Sequence, residues 1–425
     1  MSDSSLDEEE ITTQGYWPRT FDAFRDSNFR WFFAALVGNF ASMNIQMFVR
    51  GWLVYEITGS YQKLGWMTAA GGVVGLIAAP LGGVVADRVT QKKHVIQIAQ
   101  FCNALIAGFV GLLIAWGQLE FIHLLIASVF QGFVMTLMMP ARQALTKDVV
   151  GLDRLTNAIA LNTSGMNASR LLLPGLAGFM VAALGGGNGN IDPAKWVYLV
   201  MMCLYLSSVI LMFKVIVADR VPNLGNAVPM TTELKLGFQY VLQTPIILML
   251  LMCNFAMVFF SLTYFMLLPG FAKDVLDAGP DDLGLLISIS GVGSLVGSLL
   301  VASMPNRNRA RTLLSGALVL GVALLGFAWS TNYWLSVFLL TFVGLGQAAR
   351  MSLSNVLIQS YVEDEFRGRV MSIYMLEMSL LAVAIYPISI MADVLGPQIT
   401  VGLSAVCLIF LVLGLFAYPS YRNLD

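Results

Sequence analysis

Leu81-Gly-Gly-Val-Val-Ala-Asp87-Arg88-Val-Thr-Gln-Lys92-Lys93-His94 joins two long apolar runs by a short link. The link carries one acid and three permanent cations. It is too short for a domain and too charged to stay in a hydrocarbon layer. It reads as a tight turn between two membrane-spanning helices. Gly82 and Gly83 allow close packing at the helix end. Arg88, Lys92 and Lys93 mark the cytoplasmic side.

Composition extends this reading to the whole chain. Of 425 residues, 57% are hydrophobic and 12% charged, with a mean hydropathy of +0.76. A soluble domain carries about 25% charged residues, so the chain is predicted to be an all-α integral membrane protein. A net charge of −1 excludes nucleic acid as an expected partner. Cys102, Cys203, Cys253 and Cys407 all lie in apolar runs and read as small packing residues. His94 and His123 are too far apart to suggest a metal site, and no cofactor is expected. The acidic start, Met1 to Gln14, reads as a cytosolic tail without a cleavable signal.

Trp17, Phe21, Phe24 and Asn28 recur at helical spacing and predict an interfacial helix within residues 1–28. Twelve apolar segments follow, each near the roughly 20 residues that span a bilayer. They lie at about 29–55, 64–86, 94–116, 121–145, 157–184 and 195–217, then 246–270, 281–304, 310–330, 333–359, 368–393 and 397–418. The expected domains are a six-helix bundle over 29–217, a cytosolic linker over 218–245 and a second bundle over 246–425. Lys63, Lys195 and Lys273 fall on one side, Arg50, Arg142, Arg170 and Arg350 within spans, and every other Lys and Arg on the side of both termini. That side is therefore expected to be cytoplasmic. The halves also look related. One offset places Arg154 on Arg367, Val149 on Val362 and Pro174 on Pro387, and one residue more places Gly83 on Gly297. Parallel repeats about the membrane normal give such an offset.

The opening stretch resembles the major facilitator loop motif Gly-x-x-x-Asp-Arg-x-Gly-Arg-Lys. Gly83, Asp87, Arg88 and Lys92 match it, while Thr90 and Gln91 stand where Gly and Arg are usual. Further segments resemble one branch, the transmembrane secretion effectors, which includes the enterobactin exporter and macrolide-efflux transporters. They are Pro140-Ala-Arg-Gln-Ala-Leu, Arg170-Leu-Leu-Leu-Pro-Gly-Leu-Ala-Gly, Arg50-Gly-Trp-Leu-Val-Tyr-Glu and Arg367-Gly-Arg-Val-Met-Ser. The resemblance implies two pseudo-symmetric six-helix bundles in a bacterial inner membrane. It implies proton-driven export of a small molecule, with Gly83, Asp87, Arg88 and Lys92 as a cytoplasmic latch between the halves. Arg142, near the cytoplasmic end of its span, is expected to snorkel to the interface or to join that latch through a loop carboxylate. Two positions depart from the antiporter pattern. Ser128 precedes Gln131-Gly132 where Arg is usual, and Leu173 precedes Pro174 where Gly is usual.

An ionisable group at the bilayer centre costs roughly 2.5–3.5 kcal/mol on insertion scales. Arg170, Arg350 and Glu377 are the deep ones by residue count, whereas Arg50 and Arg142 lie nearer span ends. Arg350 and Glu377 flank the turn near Glu363 at similar distances, which predicts an ion pair. Glu377 is the deep carboxylate and so the proton-coupling candidate, since arginines keep their charge. Asn39, Asn44, Gln46, Asn162 and Asn167 are candidates to line a polar cavity. Segments six, nine and twelve read as lipid-facing. The third, with Gln97, Gln100 and Asn103, does not. Met43, Met47, Met135, Met138, Phe255, Phe259 and Tyr264 suit helix packing or an adaptable surface for an amphipathic ligand.

The expected function is a monomeric secondary exporter of drug-, macrolide- or siderophore-like molecules. An importer or lysolipid transporter on the same fold, and a non-transporting sensor, remain alternatives. A nucleotide-driven pump is disfavoured by the lack of a phosphate-binding loop motif, and an enzyme by the lack of a nucleophile and base set.

Overall fold

The structure, a computed structural model, describes residues 22–151, 154–217, 230–304, 307–422 and 424. Within these ranges the side chains of Pro80, Leu81, residues 83–88, Met230, Thr231, Glu233, Leu234 and Met378 lie outside the description. The first half holds α1 (Ser27–Thr58), α2 (Tyr61–Arg88), α3 (Lys92–Ala115), α4 (Phe121–Val150), α5 (Leu155–Ala183) and α6 (Ala194–Phe213). A connecting helix, α7 (Met230–Gln243), precedes the second half. There follow α8 (Pro245–Asp274), α9 (Pro280–Ser303), α10 (Arg309–Trp329), α11 (Tyr333–Tyr361), α12 (Arg367–Ala384), α13 (Tyr386–Leu395) and α14 (Pro397–Ala417). Among the described residues, eleven spans are long and apolar enough to cross a membrane, α12 and α13 together forming one of them. Packed among them against α4, α12 and α13, the 28-residue α2 makes the twelfth. The chain is a multi-pass integral membrane protein. Twelve crossings put the start of α1 and the end of α14 on one side, called here the terminus face, with the far face opposite.

Local chemistry sets the helix ends. Asp26 accepts from the Asn28 N–H at 2.8 Å to start α1, and Gly59, at φ 58°, ends it. Only glycine takes that left-handed backbone without a Cβ penalty. Glu120 and His123 form a reciprocal capping box at the start of α4. Pro245, Pro280 and Pro397 open their helices at the first turn, where a missing N–H costs nothing. Pro387 cannot donate into the helix, and the eleventh span breaks just before it, at Ile385, into α12 and α13.

Two connecting segments carry structure of their own. The linker expected over 218–245 is helical from Met230 to Gln243, and Gly237 packs on Arg369 and Ile373 of α12. The described end of the interfacial helix, Asp22–Arg25, is a single tight turn with Ala23 fully buried, its N–H donated to Asn157 Oδ1 at 3.0 Å. The rest of that segment lies outside the described residues.

The exposed apolar faces of α6, α10 and α14 fit the lipid-facing expectation. α3 joins them. Ile98, Phe101, Leu105 and Phe109 face outward, while Gln97, Gln100 and Asn103 are buried against the first half. Its polar residues therefore mark an inward stripe of a peripheral helix.

Inside each half, small residues bring backbones into contact. In the second half, Gly293 meets the Thr341 carbonyl and Gly344 that of Ser290, where α9 crosses α11. The first half repeats this where α2 crosses α4, with Gly82 on Thr136 and Gly132 on Gly71. Lipid gives no hydrophobic drive between helices, so such close packing is a main source of adhesion. Gly293→Val should therefore lower the thermal unfolding temperature by several degrees or prevent insertion. Gly414→Ala, where a Cβ meets nothing within 4 Å, should be neutral. Thermal denaturation in detergent compares the two.

Candidate functional site

A polar chain crosses the second half. Arg350 on α11 donates from Nη1 to Asn254 Oδ1 at 3.2 Å, and Asn254 Nδ2 donates to Glu377 Oε2 at 2.5 Å. Arg350 is 1% exposed, Asn254 2% and Glu377 8%. Each lies roughly ten residues, about 15 Å, from the terminus-face end of its helix, which is near mid-membrane. The expected direct ion pair is replaced by a bridge, because α8 inserts Asn254 between the two charges. Arg350 Nε, Gln347 Oε1 and Ser354 Oγ are buried without a partner along one face of α11.

The first half holds its arginines in the same way. Arg50 Nη1 donates to Gln131 Oε1 at 3.0 Å, and Gln46 Nε2 donates to the same oxygen. The Tyr205 hydroxyl donates to Gln46 Oε1 at 3.0 Å. Arg142 Nη1 donates to Asn39 Oδ1 at 3.2 Å, and its guanidinium lies 5.2 Å from the Phe40 ring centre. Arg142 is thus turned into its own half. Asn39, Asn44 and Gln46 are buried within that half, with Asn44 Nδ2 on the Phe40 carbonyl at 2.8 Å. On α5, Asn162 Oδ1 is buried without a partner, while Asn167 is exposed. Arg170 is half-buried and within electrostatic reach of Tyr264 in the other half. Lys92 meets a carboxylate, Asp148 at 2.8 Å, but within its own half. Of the other expected latch residues, the side chains of Gly83, Asp87 and Arg88 lie outside the described residues.

Sequence reading missed how the far face closes. Asp393 on α13 accepts from the N–H groups of Tyr61 and Gln62 at 2.7 and 2.9 Å and from Ser60 Oγ at 2.8 Å. It caps α2 from the other half, satisfying amides that no helical carbonyl can reach. The Tyr55 and Tyr61 hydroxyls both donate to Asp274, Tyr61 at 3.0 Å. Lys273 pairs with Glu56 at 3.0 Å. These polar contacts between the halves all lie toward the far face. The sequence signal was present only as carboxylates at outer span ends, and nothing in it paired them.

Beneath this closure a cavity of about 340 Å³ separates the halves. Met47, Arg50, Met67, Phe265, Met266 and Leu381 are in its wall. Met138 and Tyr264, by contrast, are core residues.

The sequence profile of the transmembrane secretion effector family matches residues 19–421. The chain belongs to that family. Its members are major facilitator transporters, not enzymes. The multidrug efflux pump Tap of Mycolicibacterium fortuitum is 26% identical over 408 residues, 92% of this chain and 96% of Tap. The staphyloferrin A transporter of Staphylococcus aureus (strain NCTC 8325 / PS 47) is 21% identical over 345 residues, 78% of this chain and 82% of the transporter. Among solved structures, a D323A mutant of the nucleoside transporter NupG superposes with a TM-score of 0.73 at 13% identity, covering 92% of this chain and 99% of NupG. An inward-facing, occupied bacterial homolog of the human lysosomal transporter Spinster gives 0.71 at 14% identity, covering 92% and 96%. These two likenesses establish the fold.

The cap on α2 is open to test. Asp393→Ala removes three acceptor contacts, so the far-face closure should weaken by about 0.5–1 kcal/mol. The four native cysteines are first replaced and one cysteine placed at Ala382 in the cavity wall. Labelling by an impermeant maleimide from the far face should then rise severalfold. An unchanged rate would show that the cap does not hold the closure.

Proposed function

We propose that this transporter is a proton-coupled exporter of amphipathic small molecules in a bacterial inner membrane, with both termini in the cytoplasm. The observation that carries the reading is the Arg350–Asn254–Glu377 chain. It sets a deep carboxylate among the described residues on a span that packs against both the other half and the cavity.

Ionised Glu377 accepts from Asn254 Nδ2, which leaves the Asn254 oxygen free to receive Arg350. The three side chains then tie α8, α11 and α12 together. Protonated Glu377 carries a hydrogen of its own and competes for the same acceptor, so the bridge loosens. Glu377 and Leu381 lie on one face of α12, one turn apart. Leu381 packs with Val258 of α8 and also lines the cavity. A proton arriving at Glu377 therefore acts on the wall against which substrate rests, and alternation of the two loads supports antiport.

A far-face closure above a cavity fits the inward-facing state of the cycle, in which an exporter collects its load. Two relatives, a multidrug efflux pump and a staphyloferrin A transporter by name, support transport of small molecules, and the first supports export.

Glu377→Gln keeps shape and a hydrogen-bonding head but cannot change charge. In proteoliposomes it should retain substrate binding within about threefold and lose uphill transport driven by a pH gradient by more than tenfold. A mutant that still concentrates substrate under that gradient would refute Glu377 as the coupling group. Asn254→Ala should leave Arg350 short of an acceptor and cost about 1–3 kcal/mol of stability by denaturant titration.

A further inference from the structure

The geometry points to an amphipathic anion as the occupant of the cavity beneath the far-face closure, with Arg50 receiving its charged head. This deepens the exporter reading and rests on it only in taking the cavity for the transport site.

The cavity wall is built from Met, Leu, Phe, Ile and Ala side chains with Gly51, Pro269 and Thr68, and its one ionisable member is Arg50. The Arg50 guanidinium is half-buried and gives one N–H to Gln131 Oε1. A guanidinium has five N–H groups, so most of its donor capacity is uncommitted. Its anchor is a neutral amide, which orients the group without cancelling its charge.

The acids that could neutralise it are engaged elsewhere. Glu56, further along α1, is tied to Lys273 and to the Gly189 N–H at 2.5 Å. Asp274 takes the hydroxyls of Tyr55 and Tyr61. Asp393 caps α2. Glu377 accepts from Asn254. An entering carboxylate or sulfonate would therefore meet a desolvated cation already aimed by Gln131, and no internal ion pair need break first. Arginine matches such a head with two parallel N–H bonds. An organic cation would meet repulsion and no free carboxylate.

Size and softness define the rest of the ligand. About 340 Å³ lies within the range of roughly 300–1,000 Å³ of small-molecule sites. Met47, Met67 and Met266 are unbranched thioethers that repack around different shapes. The site is thus strict on charge and tolerant of the apolar body. A free organic anion and an anionic lysolipid share this chemistry.

The test uses the full chain in detergent and three probes of one shape: 2-naphthylacetate, its neutral methylamide, and a naphthylmethyl trimethylammonium cation. Calorimetry should give saturable binding of the acetate, at least tenfold tighter than the cation. Arg50→Gln should bring the acetate to the level of the amide, and Arg50→Lys should recover part of the difference. Leu262→Trp, which fills the cavity from α8, should weaken all three probes. The comparison of the three probes on the wild-type chain stands even if an Arg50 variant fails to fold.

A cation bound as tightly as the acetate, an acetate that does not saturate, or an Arg50→Gln protein with unchanged acetate affinity would overturn the inference. Displacement of the acetate by lysophosphatidylglycerol would support it with lipid as the source, and resistance to displacement would support it with a soluble anion. Protonophore-sensitive efflux from proteoliposomes reports on the exporter reading separately. Arg50-dependent binding without efflux would sink that reading and leave the site, whereas efflux indifferent to probe charge would do the reverse.

Discussion

A guanidinium inside a hydrocarbon layer must be hydrogen-bonded, and how it is bonded sets what else it can do. Arg50, Arg142 and Arg350 each donate to an amide oxygen, from Gln131, Asn39 and Asn254 respectively. In every case the pair joins the first and fourth helices of a half. An amide supplies an acceptor with a dipole but no net charge. The arginine is therefore held in place while its electrostatic field survives, which a carboxylate partner would have quenched. Buried ion pairs are costly to open, and amide-held charges leave the network free to respond to a proton or an anion.

The adhesion within and between halves is of two kinds. Within a half, glycines such as Gly293 and Gly344 set backbone against backbone, with no water to replace a lost contact. Between halves some glycine contacts recur, as where Gly178 meets Pro280 toward the far face and Gly75 meets Ser379 nearer mid-membrane. The polar closure there uses Asp274, Asp393 and Glu56 at the ends of spans, where water can take over each hydrogen bond. Exchange of protein for water partners has a small net cost, about 1 kcal/mol per bond. The halves can thus separate at the far face without either losing its internal packing.

α12 and α13 link these features. Glu377 holds the network at mid-membrane, Leu381 one turn on lines the cavity, and the break at Ile385 lets α13 carry Asp393 to the α2 terminus. Coupling site, cavity and closure therefore lie in order along one interrupted span. Pro387 supplies the interruption, since it removes one helical hydrogen bond and so weakens bending resistance there.

Twelve spans, their bounds to within a few residues and the family were legible in the sequence. The reason is that a bilayer requires helices of fixed length with apolar surfaces, so hydropathy alone carries the signal. Glu377 and the arginines stood out for the same reason, as costly exceptions. Their partners did not. Asn254 looked like any polar residue in an apolar run, and only the packing of α8 between α11 and α12 placed it between Arg350 and Glu377. Arg142 reads as interfacial from its distance to a helix end, yet the rotation of α4 turns it onto Asn39. Asp393 was a carboxylate at a span end until the approach of the other half put the α2 amides against it. Linear spacing along a helix fixes depth in the membrane, whereas azimuth and neighbours follow from how helices from distant parts of the chain pack.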